Sequence, residues 1–177
     1  MGEIMSRAFT PTLAALFLAT FAGDAAAGPL PKDPCAILKA EDLRSIASTT
    51  VGSGRPEVSA PIAAGCTYTW GPKSEKWGQT TLSFFVSDLS KAYPGMNPDL
   101  IKQGLLMKVK AGGSNASQIA GVGDAGAFSI EARSHNALAE ALLLSKGYHV
   151  AVTYHHGDSA ASKDKLTALL KLAAGRL

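Results

Sequence analysis

A chain of 177 residues, 46% hydrophobic and 18% charged, has enough apolar material for a packed core and the length of one ordinary domain. Its formal net charge of +3 is scattered, with Lys108 and Lys110 the nearest thing to a cluster. That excludes the basic stripe with interleaved aromatics that marks a nucleic-acid surface.

The first residues read as a secretory leader: Arg7, an apolar run over 13–19, then Ala25-Ala26-Ala27 before Gly28. The run falls short of the roughly 20 residues that span a bilayer. The first cysteine, Cys35, lies behind Lys32-Asp33-Pro34 instead of at the cleavage point, where a lipid anchor would need it. The expectation is a signal peptide over 1–27 and a single domain over 28–177, periplasmic or secreted, without a stable membrane anchor. In an oxidising compartment Cys35 and Cys66 are expected to form a disulfide, worth roughly 3 to 4 kcal/mol in the chain-entropy model. Their spacing matches no zinc finger.

Further elements follow in order. Residues 36–48 place Leu38, Leu43, Ile46 and Ala47 on one stripe of a helix. Residues 51–65, rich in Gly, Ser and Pro, read as loop. A strand over 66–70 and another over 80–87, the latter with Leu82, Phe84 and Val86 on one face, make a hairpin whose long tip carries Trp77. Asn97-Pro98-Asp99 opens a helix that Gly112-Gly113 closes, with Leu100, Ile101, Gly104 and Leu105 as its inner face. A last helix begins at about Asp158 or Ser159, buries Leu166, Leu169, Leu170 and Ala173, and stops at Gly175.

Residues 121–156 read as three antiparallel strands after a glycine-rich turn. Taking Ser145-Lys146-Gly147 as a three-residue loop sets Leu144 against Tyr148, Leu142 against Val150 and Leu138 against Tyr154. A loop at Ser134-His135-Asn136 likewise sets Phe128 against Leu142. The resulting fold class is α+β, a two-layer sandwich in which helices cover one face of an antiparallel sheet of about five strands.

Four features bear on chemistry. Gly121-Val122-Gly123-Asp124-Ala125-Gly126 matches the dinucleotide fingerprint G-x-G-x-x-G, yet a strand follows where that motif needs a helix, so it reads as a turn. His135, His155 and His156 gather at one end of the expected sheet, an arrangement that suits a divalent transition metal. Glu140 falls between Ile130 and Val152 on the apolar face, where desolvation would raise its pKa and make it a candidate acid, unless the register slips. Trp77 and Tyr68 are the candidates for a ligand or partner surface, and Trp70 for the core. There is no G-x-S-x-G elbow and no H-E-x-x-H, so no catalytic residue is assigned.

Asp33-Pro34-Cys35, Gly65-Cys66-Thr67-Tyr68 and Gly121-Val122-Gly123-Asp124-Ala125 together resemble a bacterial family of small exported proteins of unknown function. Its members are best known as actinobacterial envelope lipoproteins, and the pattern is similar to the extracellular sensor domain of a mycobacterial Ser/Thr kinase. The resemblance implies a Cys35–Cys66 bridge and helices on a sheet, and it carries over no catalytic residue. The functional expectation is a non-enzymatic binding or sensing module of the cell envelope. It would have no cofactor, and its partner would be an envelope protein or a small ligand. The alternative is a metal-binding or hydrolytic protein built on the three histidines.

Overall fold

The computed structural model describes residues 27–47, 49–59, 61–74, 78–131, 136–155 and 163–177. The expected signal peptide thus lies, but for Ala27, outside the described residues. Seven strands form one antiparallel sheet: β1 (Arg55–Ser59), β2 (Ala63–Ser74), β3 (Gly78–Asp88), β4 (Ala116–Gln118), β5 (Ala125–Glu131), β6 (Asn136–Leu143) and β7 (Tyr148–His155). Their order across the sheet is β1-β2-β3-β7-β6-β5-β4. Among the described residues three α-helices accompany them: α1 (Leu89–Ala92), α2 (Pro98–Ala111) and α3 (Lys163–Arg176).

The α+β class is as expected, but the sheet has seven strands instead of about five, and helices lie on both of its faces. One face carries Leu82, Phe84, Val86, Val150 and Val152 under Leu166, Leu169, Leu170 and Ala173 of α3. The other carries Ala125, Ala127 and Leu142 beneath Leu105 of α2 and Leu89 of α1. The extra strands are the two edges. β1 lies in the segment read as loop, where Pro56 sits on an edge strand that can spare its missing N–H. β4 is three residues of polar sequence, too short for alternation to show.

The segment expected as a helix over 36–48 instead forms two 3-10 turns, Pro34–Ala36 and Ala40–Ser45. Leu38 and Leu43 are still buried, but two tethers shape the backbone more than periodicity does. Cys35 is bonded to Cys66 with Cα atoms 5.1 Å apart, as expected. Tyr68 donates its hydroxyl to Cys35 O and Leu38 O. At the far end Arg176 of α3 reaches back to Asp42 Oδ2 at 2.6 Å and Ile37 O at 2.6 Å.

The meander differs from expectation by one residue of register between β6 and β7 and by three between β5 and β6, with large consequences. Leu143 pairs with Tyr148, so the connection is a four-residue loop, a 3-10 turn over Leu144–Lys146 followed by Gly147 at φ 72°. Because strand side chains alternate, one added loop residue inverts the faces of β6 relative to β7. Val150 therefore sits opposite Ala141 and Val152 opposite Ala139, while Leu142 faces His149. Likewise Phe128 pairs with Ala139, not Leu142. The inversion suits packing. The small side chains Ala137, Ala139 and Ala141 let α3 approach closely, and the bulky Leu142 meets α2 on the other side.

The G-x-G-x-x-G stretch is a turn between β4 and β5. Gly121 and Gly123 take φ of 69° and 54°, and Asp124 N donates to Leu142 O at 2.8 Å. A Cβ on Gly123 would fall on the Leu142 carbonyl, and one on Gly126 would lie 2.6 Å from Val122 Cγ1. Close backbone approach explains these glycines without a nucleotide.

Candidate functional site

The inverted register creates the site. Glu140 leaves the α3 face and points to the α2 face, paired across the sheet with Ala127 and Ala151. It remains 5% exposed. His149, one strand over on the same face, places Nε2 3.1 Å from Glu140 Oε2. Lys108, in the last turn of α2, donates its ammonium to Glu140 Oε1 at 3.2 Å. Burial pushes the Glu140 carboxyl up, but the His149 hydrogen bond and the charges of Lys108 and His149 outweigh it and hold the group below the usual carboxylate range. Glu140 is an ionised, fully engaged carboxylate and not the raised-pKa acid expected from the sequence.

Above this ion cluster the α1–α2 connection leaves the sheet partly uncovered. Asn97 caps α2 by accepting from Asp99 N at 2.8 Å, with Pro98 in the first turn, so the helix starts where the sequence indicates. The buried carboxylate of Asp88 caps α1, accepting from the Ser90 N–H at 3.0 Å and the Lys91 ammonium at 3.0 Å. Here too burial raises the pKa, and the Ser90 and Lys91 hydrogen bonds and the Lys91 charge more than offset it. Between these caps Tyr93 and Met96 are 39% and 49% exposed, and Leu100, in the first turn of α2, is 57% exposed.

Two hollows of about 260 and 240 Å³ lie under this connection, and Tyr93, Met96 and Ile101 line both. Leu89, Leu144 and Gly147 floor the first. Glu140, His149, Lys108 and Leu142 floor the second. The result is a pair of adjoining hollows with largely apolar walls and one ion cluster at the base of the second, a groove whose composition, though not the volume of either hollow alone, matches small-molecule sites. The expected narrow inner face of α2 is only half realised. Leu105 is buried, while Leu100 stands at the groove's rim.

The sequence-derived candidates fare differently. Cys35 and Cys66 are joined. Tyr68 is not a surface residue: it is 1% exposed, and burial, with the nearby charges of Asp33 and Asp42, pushes its hydroxyl up to about 12. Trp70 is in the core, stacked on Tyr154 with centroids 5.9 Å apart. Trp77, His135 and His156 lie outside the described residues. His155 pairs with Thr81 across β3 and β7, and Ala137 faces Tyr154, not His155 as the expected register had it. Among the described residues no three His, Cys, Asp or Glu side chains group as metal ligands, and no helix is long and apolar enough to cross a membrane.

Sequence reasoning passed over Lys108, His149, Tyr93 and Met96. Glu140 itself was the available signal, since a carboxylate amid β-strand alternation demands partners. A three-residue turn between β6 and β7 would put His149, its nearest partner, on the other face of the sheet. Comparison of the chain with known protein families, curated proteins and solved structures yields no match.

Proposed function

We propose that the chain is an exported binding or sensing module of the bacterial cell envelope, of the kind its cysteine motifs resemble, and that its ligand site is the groove under the α1–α2 connection. The observation that carries this reading is the conjunction of exposed Tyr93, Met96 and Leu100 with a buried, charged floor at Glu140 and His149. Exposed apolar side chains around a preformed hollow mark a recognition surface. The Cys35–Cys66 bridge supports an oxidising compartment. The groove takes the place of Tyr68, which is buried, as the proposed contact surface, while Trp77 lies outside the described residues. A metal or hydrolytic role centred on His135, His155 and His156 gains no supporting observation from the described residues.

The test uses an uncharged apolar fluorophore, N-phenyl-1-naphthylamine, titrated into the protein expressed with its own leader. The expected result is saturable one-to-one enhancement that Leu100→Glu and Met96→Glu each weaken by roughly tenfold or more, with melting temperature unchanged. Enhancement indifferent to both substitutions, or none at all, sinks the groove. Retention in the cytoplasm with reduced thiols sinks the assignment to the envelope.

A further inference from the structure

The groove assigned above holds a buried carboxylate fixed by its neighbours and an ammonium free to move, and this difference, which rests on that assignment, specifies the ligand. Glu140 is fixed. It projects from the middle of β6, is 5% exposed, and one of its oxygens is held by His149 from the neighbouring strand. Its other oxygen meets Lys108, whose side chain is 67% exposed at the end of a flexible four-carbon stem. An ammonium on such a stem is weakly held, because solvent screens the pair and the stem regains its rotamer freedom on release.

A ligand ammonium can therefore take the place of Lys108 at Glu140 Oε1 while the released lysine returns to water. The exchange leaves the buried carboxylate paired throughout, so no charge is stranded in the groove. An anionic ligand meets the opposite situation, since it approaches a desolvated carboxylate that is already ionised. Beyond Glu140 the walls are hydrocarbon and aromatic. The path from the Glu140 hollow to the one floored by Leu89 and Leu144 passes Tyr93, Met96 and Ile101. A methylene chain laid along that path gains roughly fourfold in affinity for each group it buries.

We propose that the groove binds a single-chain alkylammonium amphiphile, its head exchanging with Lys108 at Glu140 and its chain running over Tyr93 and Met96 into the hollow floored by Leu89 and Leu144. The observation that selects a cation over an anion is that the buried, immobile member of the cluster is the carboxylate, held by His149, while its Lys108 partner is exposed and exchangeable.

Calorimetric titration of the full chain with dodecylammonium, dodecanoate and dodecyl maltoside, each below its micellar concentration, tests this. Dodecylammonium is expected to bind at least tenfold more tightly than dodecanoate. Glu140→Gln should erase that preference, read as the ratio of dodecylammonium to dodecanoate affinity. Lys108→Met, which removes the internal competitor, should strengthen dodecylammonium binding several-fold, and it serves as the deciding variant if Glu140→Gln fails to fold. Equal or tighter binding of dodecanoate overturns the proposal, as does a dodecylammonium affinity that neither substitution moves. Self-association that Leu100→Glu abolishes, with no amphiphile bound, also overturns it by giving the groove to a second copy of the chain. If none of the three amphiphiles binds and the chain stays monomeric, the groove reading fails with it. If the maltoside alone binds, the groove stands and the cation selectivity falls.

Discussion

Severing the Cys35–Cys66 bridge should be the most damaging change that leaves every core side chain in place. The pair closes a span of 31 residues, and cross-linking a loop of that length removes denatured-state entropy worth about 3.7 kcal/mol at 25 °C. The bridge also fixes the two 3-10 turns against β2, where Leu38 and Leu43 are fully buried and Tyr68 bonds the carbonyls of Cys35 and Leu38. Those contacts persist without the bridge, so the loss should stay near the entropic figure instead of growing with lost packing. The assay is urea unfolding of the oxidised protein beside a Cys35→Ala/Cys66→Ala double variant, both carrying Trp77→Phe, read by fluorescence of Trp70, which lies in the core on Tyr154. The midpoint should fall while the native signal is kept, and the melting temperature should drop by roughly 7 to 15 °C for a domain of this size. A loss below about 1 kcal/mol would refute the loop-closure account. A loss accompanied by exposure of Trp70 would show that the bridge holds the core itself.

Removing the Tyr68 hydroxyl with Phe leaves the buried Leu38 carbonyl and the half-buried Cys35 carbonyl without that donor and should cost about 1 to 3 kcal/mol. In the parent protein the Tyr68 phenol should ionise only near pH 12, followed by difference absorbance against the Phe variant. Glu140, Asp42 and Asp88 all have lowered pKa values in the fold, so the unfolded chain takes up their protons first. Stability should therefore be level above an unfolded carboxyl pKa of about 4 and fall as pH drops through the folded values. Urea midpoints across acid pH check this, and Glu140→Gln should flatten the slope; a midpoint that rises on acidification contradicts the ion-pair assignments. Gly123→Ala should destabilise by at least about 2 kcal/mol, from the left-handed backbone and the clash with Leu142. Gly104→Ala, inside α2 with open space around it, should instead stabilise by roughly 0.5 to 1 kcal/mol. Equal effects at the two positions would remove the steric explanation of the glycine turn.

Local chemistry made much of the architecture legible in the sequence. Asn97-Pro98 marked the start of α2 because a side-chain cap and a residue without an N–H suit that position and few others. Leu82, Phe84 and Val86 announced the buried face of β3 by strict alternation, and Leu166, Leu169, Leu170 and Ala173 announced that of α3 by helical spacing. Two cysteines behind an apparent leader implied their own bond. In each case the determining interactions lie within a few residues of one another, or the partners allow a single pairing.

The site was decided by tertiary structure. Whether the β6–β7 connection holds three residues or four depends on a turn whose alternatives differ little in local energy, and the choice fell to packing. Alanines at 137, 139 and 141 admit α3, and Leu142 fills the space beneath α2. That choice carried Glu140 to the same face as His149 and under Lys108, 32 residues away in the chain. Side-chain period in a strand is two, so a single residue of turn length separates a buried, unpaired acid from a paired carboxylate at the floor of a groove, and only the packed sheet resolves which it is.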